Sequence, residues 1–235
     1  MVSRKHIGAL TLFSAFLATT PALAGPPDGC AGLREGGGQS AEEVFVSVEK
    51  FPEGAACFLV PMAVTASPAL YTQGKIDLLA FNPIELSGYI HDQQRIMIGG
   101  EERTVDSDKL GCLAEPFPRW IAIMSHLSNA PVTVEEMTAY AKETSTDLPG
   151  YVRYFDSVGD YYVADTRPES QVSFFCRRVP EVWRDFCHIV GGYDEMSAVV
   201  MYHKSEMAEV RPEQALQCAR TIADLFKLAK PINSN

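Results

Sequence analysis

The residues whose types and spacing most invite chemistry are Cys176 and Cys187, in the stretch SFFCRRVPEVWRDFCHIVGG, with His188 beside the second cysteine. A thiol nucleophile needs a depressed pKa and a neighbouring base. A structural metal site needs further cysteine or histidine ligands at close spacing. His188 follows Cys187 directly, so on a strand the two side chains point to opposite faces, which removes an adjacent Cys-His dyad. A hairpin centred between Glu181 and Val182 instead places Cys176 directly opposite Cys187. Opposed residues of an antiparallel pair stand about 4.5–5.5 Å apart at Cα, within disulfide reach. The spacing predicts a cross-strand disulfide. The linking residues carry helical spacing as well, so one or two helical turns over residues 180–185 are expected before a strand resumes at FCHIV.

The other chemistry-bearing residues are scattered. His91, next to Asp92, and His126 and His203 form no H-E-x-x-H or other close ligand set, and there is no C-x-x-C pair. No metal and no cofactor is expected. There is no G-x-S-x-G elbow, no P-loop, and no G-x-G-x-x-G after a strand. Asp77, Glu101, Glu102, Asp106 and Asp108 could act as acid and base only if their pKa values were set apart, and nothing local does so. A hydrolase remains conceivable only as a site assembled from distant residues such as His91, Asp92, His188 and His203.

A third cluster suits binding better than catalysis. The stretch YVRYFDSVGDYY packs Tyr151, Arg153, Tyr154, Phe155, Tyr161 and Tyr162 into one short hairpin turning near residues 157–159. Strand alternation places Tyr151, Arg153 and Phe155 on one face, and Val152, Tyr154 and Asp156 on the other. If one face is core, the other offers aromatics and arginine, the residue types enriched at binding hot spots.

The elements that position these residues can be read from local pattern. EVFVSVEKF alternates with Val44, Val46 and Val48 on one face, a half-buried strand. ACFLVPM, IDLLAF, RWIAIMSH, QVSFFCRRV and SAVVMYH read as further strands, and QRIMIGGEERTV as a hairpin turning at Gly99-Gly100. Thr133 and Glu136 make a capping box, with Val132 and Met137 placed as its hydrophobic staple, so a helix is expected over 133–144. Pro212 opens a second helix over 212–229, with Ala215, Ala219, Ile222, Ala223 and Phe226 at helical spacing. The expected class is α+β: a mostly antiparallel sheet with two main helices packed on it, stabilised by disulfides.

The N-terminus sets the compartment. Arg4 and Lys5 precede a short apolar run, and Ala22-Leu23-Ala24 offers a small-x-small cleavage pattern, so residues 1–24 read as a signal peptide. Residues 25–41 are Gly/Pro-rich and read as a flexible lead-in, leaving 42–235 as one domain. Six cysteines in an exported chain imply disulfides, with the pairing of Cys30, Cys57, Cys112 and Cys218 left open. No asparagine begins an N-x-[ST] acceptor, which favours a bacterial periplasm over eukaryotic secretion. Cleavage removes Arg4 and Lys5 and no acid, so the formal charge of −10 becomes −12. That balance argues against nucleic acid and against anionic lipid, and no membrane insertion is expected after cleavage. It suits a basic protein partner, drawn in by opposite fields. The expected function is an exported binding protein that sequesters or inhibits a partner in the cell envelope, immunity- or inhibitor-like. A subunit accessory to an envelope assembly is the remaining alternative.

Overall fold

The computed structural model describes residues 30, 43–50, 54–66, 75–76, 78–91, 93–125, 139–146, 148–165, 173–178, 181 and 184–229. Among them the chain forms β1 (Glu43–Glu49), β2 (Ala55–Pro61), β3 (Lys75–Ile76), β4 (Leu78–Phe81), α1 (Pro83–Ile90), β5 (Arg95–Ile98), β6 (Glu101–Thr104) and β7 (Trp120–Met124). These are followed by β8 (Lys142–Thr144), β9 (Tyr151–Phe155), β10 (Gly159–Ala164), β11 (Phe174–Arg177), β12 (Phe186–Tyr193), β13 (Met196–His203) and α2 (Pro212–Phe226). Eight strands make one sheet in the order β4-β7-β13-β12-β11-β10-β9-β8, antiparallel at every step. A smaller sheet runs β2-β1-β3, and β5 and β6 form a separate hairpin.

The α+β class holds, with the sheet dominating. The helix α2 packs its apolar stripe, including Ala215, Ala219, Ile222 and Phe226, on β12, β13 and β7. One continuous core joins that stripe to β1, β2 and the α2-facing side of the sheet, with Phe58, Phe81, Phe226, Ile121 and Ile123 fully buried. The Phe81 and Phe226 rings stack at 5.6 Å. Burial of side chains this large stabilises by about 1.5–3 kcal/mol each, which fixes the helix against the sheet.

Local turn chemistry sets the hairpins. Gly99 and Gly100 both have positive φ, +58° and +84°, the two left-handed positions that a tight β5–β6 turn demands. Gly159 answers a different need. A Cβ there would stand 2.6 Å from the Cys176 carbonyl oxygen, so only glycine lets β10 start this close to β11. The β12–β13 turn uses Asp194 and Glu195, both at positive φ, and Asp194 is tied to Lys50 and Lys227.

Four expectations change. The helix expected over 133–144 is not what its last residues form: 139–140 are turn, and Lys142–Thr144 is strand β8, laddered to β9 through Lys142↔Phe155, Glu143↔Tyr154 and Thr144↔Arg153. The outer N–H and C=O groups of β9 need partners, and that non-local demand outweighs local helical pattern. The capping box and its staple lie outside the described residues. The helix expected over 212–229 ends at Phe226, because Lys227 bridges Phe58 and the Leu228 N–H donates to the Cys57 carbonyl, closing the edge of β2. The strand β1 is buried on both faces, Phe45 and Ser47 as well as Val46 and Val48, with β2 paired along its edge and β4 and β7 of the large sheet in contact with it. Finally, a short helix not anticipated from the sequence, α1, follows β4. Asn82 caps it by accepting from the Ile84 and Glu85 N–H groups, and Pro83 occupies its first turn.

All six cysteines are paired. The bonds are Cys30–Cys57, Cys112–Cys218 and Cys176–Cys187. The last joins directly opposed residues of β11 and β12, in the register the hairpin argument requires, with Phe175 opposite His188. Of the expected helical turn before β12, the described part keeps one feature: the Arg184 N–H donates to the Glu181 carbonyl.

Candidate functional site

The aromatic hairpin divides between the two faces of the large sheet as strand alternation requires. Arg153 stands opposite Tyr162, and Phe155 opposite Asp160, so Tyr151, Arg153, Phe155 and Tyr162 share the α2-facing side. Tyr154 and Tyr161 stand opposite one another on the far side. Tyr162 is 2% exposed and stacks on Phe174 at 4.5 Å, so it belongs to the core. Tyr151 meets Phe174 edge-on at 5.2 Å. The strand β9 as a whole is half-buried at every position.

The far face carries an aromatic row. Tyr161 stacks on Phe175 at 6.4 Å, Phe175 stacks on His188 at 5.0 Å, and Tyr140 meets Tyr161 edge-on. The Arg177 guanidinium sits 5.6 Å over the Phe175 ring. The Tyr161 hydroxyl donates to Asp156, and burial together with that carboxylate pushes its pKa well up.

His188 lies within this row and is buried. Burial, reinforced by the Arg177 charge, pushes its pKa down to about 4. An unfolded imidazole titrates near ~6.5, so below that pH the unfolded chain takes up a proton that the folded chain refuses. The His188 contribution is therefore complete above pH ~6.5 and falls by about 3 kcal/mol as pH drops to about 4. His188→Phe keeps a ring against Phe175 and removes the titration. Urea unfolding at pH 7 and pH 4.5 should show this stability loss in the parent chain and its near-absence in the variant. An equal slope in both would put the proton elsewhere.

The α2-facing end of the hairpin holds the most concentrated electrostatics in the described residues. The Asp160 side chain is 2% exposed and receives three cations. Arg178 grips it side-on, Nε to Oδ2 at 3.3 Å and Nη2 to Oδ1 at 2.5 Å. Arg153 donates from Nη2 at 2.7 Å and Nε at 3.1 Å, both to Oδ1, and Lys204 Nζ approaches Oδ2 at 3.4 Å. Burial alone would push the carboxyl up, but the hydrogen bonds from Arg178 and Arg153, with the Arg153 and Lys204 charges, hold it below the usual carboxylate value. Phe155 forms the rim: the Arg178 guanidinium lies 5.6 Å from its ring, and exposed Lys142 stands opposite it across β8–β9.

Arg153 was legible as a site residue, but its partners were not. Arg178 and Lys204 enter through β11 and β13, far away in sequence. Asp160 could have been found, because a turn at residues 156–159 places it diagonal to Arg153 on the same face.

The residues weighed for catalysis lie apart in role. His91 caps the C-terminus of α1 and lines a cleft of about 460 Å³ together with Ser87, Gln93 and Leu110. His203 caps a 3-10 turn, accepting from the Ser205 N–H, while His188 sits in the aromatic row. Asp92, Asp77 and His126 lie outside the described residues. Glu101 pairs with Arg103, Glu102 with Arg95 and Asp106 with Lys109. Among the described residues no group of three or more His, Cys, Asp or Glu is arranged to hold a metal ion, and no helix is long and apolar enough to cross a membrane. No family model, curated protein or solved structure matches the chain.

Proposed function

We propose that the chain is an exported binding protein that sequesters or inhibits a protein partner in the cell envelope, in the manner of an immunity or inhibitor protein, in a bacterial periplasm or secreted. The observation that supports this most is the β9–β10 hairpin, which keeps Arg153, Tyr154, Phe155 and Tyr161 half-exposed on a rigid sheet beside a disulfide. Rigid aromatics and arginines lose little freedom on docking, which is why they dominate binding energy at interfaces. The three disulfides fit an oxidising compartment. The acidic balance favours a partner that is basic overall.

The test is affinity capture. The oxidised protein is immobilised and exposed to its own envelope and secreted fractions at low and moderate salt. A single basic protein should be retained, and its retention should fall at least tenfold when Tyr154 and Phe155 are replaced together by alanine, as expected for hot-spot loss of about 1.4 kcal/mol or more. Equal retention by the double variant, or none by the parent chain, counts against this reading.

A further inference from the structure

Resting on that binding reading, we infer that the Asp160 cluster is the docking point for a carboxylate-bearing segment of the partner protein. One carboxylate needs one counter-charge, and Asp160 has three. The excess cations are not buried with it: Arg178 and Lys204 side chains keep 40% and 46% of their surface exposed. The side-on grip of Arg178 uses Nε and Nη2, which turns Nη1 away from Asp160. Lys204 commits one of its three donors to Asp160. Asp185 is exposed at the strand end, where its carbonyl accepts from the Lys204 N–H, and exposed Lys142 stands opposite Phe155 on the neighbouring edge strand.

Asp160 therefore acts as a template. It holds guanidinium and ammonium donors in fixed positions, so little side-chain freedom remains to be lost when a further carboxylate arrives. Arginine forks match carboxylates in two-point geometry, and the Phe155 ring walls the site on one side, lowering the local dielectric. The net negative charge of the chain does not forbid this. Screening limits its reach to about 8 Å at physiological salt, so the local island decides the last contact while the overall field selects a basic partner.

The test uses the intact oxidised protein and a blocked Gly-Glu-Glu-Gly peptide, with Gly-Gln-Gln-Gly as its neutral counterpart, followed by amide chemical shifts. The acidic peptide should move the amides of Arg153, Phe155, Arg178 and Lys204, and the neutral one should not. Lys204→Met, at an exposed position, should weaken the response several-fold, and Arg178→Gln by about tenfold, the loss of one charge-assisted bond. Equal shifts with both peptides, shifts located elsewhere, or a response to free acetate with none to the peptide would overturn the inference. Envelope capture of a partner undiminished in both variants would also overturn it while leaving the binding reading intact. Peptide binding without any captured partner would uphold the site and remove the proposed function.

Discussion

Replacing Cys112 and Cys218 together by alanine should lower unfolding free energy by about 5 kcal/mol, against about 3 kcal/mol for Cys176 and Cys187. The difference is one of loop length. The first bond closes a sequence separation of 106 residues and the second only 11. A cross-link restrains the unfolded chain in proportion to the logarithm of the loop it closes. The position adds to this. Cys112 sits in a 3-10 turn, Gly111–Leu113, packed against α2, and Cys218 is fully buried on the inner stripe of that helix. Without the bond, the long excursion from that turn through β7 to β13 is no longer tied to α2. Urea denaturation of the two double variants at pH 7 checks the ranking. Larger destabilisation from the Cys176–Cys187 removal would show that contacts in the native sheet, and not chain restraint, set the contribution of these bonds.

The same contrast explains what could be read from sequence. The Cys176–Cys187 bond was legible because both residues lie in one local hairpin whose register follows from its centre. The Cys112–Cys218 bond was not, because it depends on where α2 settles on the sheet. The β9–β10 and β5–β6 hairpins declared themselves through alternation and turn residues. The strand β8 did not: three residues are too few to show a period, and it exists because β9 offers an edge. The helix α1 carried an asparagine cap and a first-turn proline, but its eight residues left too short a pattern to stand out. At the candidate site the alternation of Tyr151, Arg153 and Phe155 was visible, and so was their aromatic character. The charge pattern was invisible, since Arg178 and Lys204 come to Asp160 through a four-strand register. Net acidity therefore described the molecule without revealing its cationic island.

Asp160→Asn should be the most damaging single substitution at that island, at about 3–5 kcal/mol, because it removes the buried carboxylate on which three cations converge. The amide also presents donors where the guanidinium groups already donate. Arg178→Gln should cost only about 1 kcal/mol, since the side chain is 40% exposed and Arg153 and Lys204 continue to serve the carboxylate. The pH dependence follows from the lowered Asp160 pKa. The folded state holds the carboxylate ionised below the value of 3.8 at which an unperturbed group titrates. The stability it contributes is present above that value and is lost as pH falls through the folded pKa, a window below the one in which His188 acts. The Asn variant should therefore start less stable at pH 7 and show a flatter decline at the acid end. Chemical denaturation from pH 7 to pH 2 of both variants separates the two contributions. The asymmetry between them bears on function. If folding needs Asp160 but tolerates loss of Arg178, the surplus cation is retained for something other than the fold, and a partner carboxylate is the group its geometry fits. If Arg178→Gln instead proves as damaging as Asp160→Asn, the whole cluster is a structural clasp between β9, β10, β11 and β13, and the docking point must lie elsewhere on the hairpin.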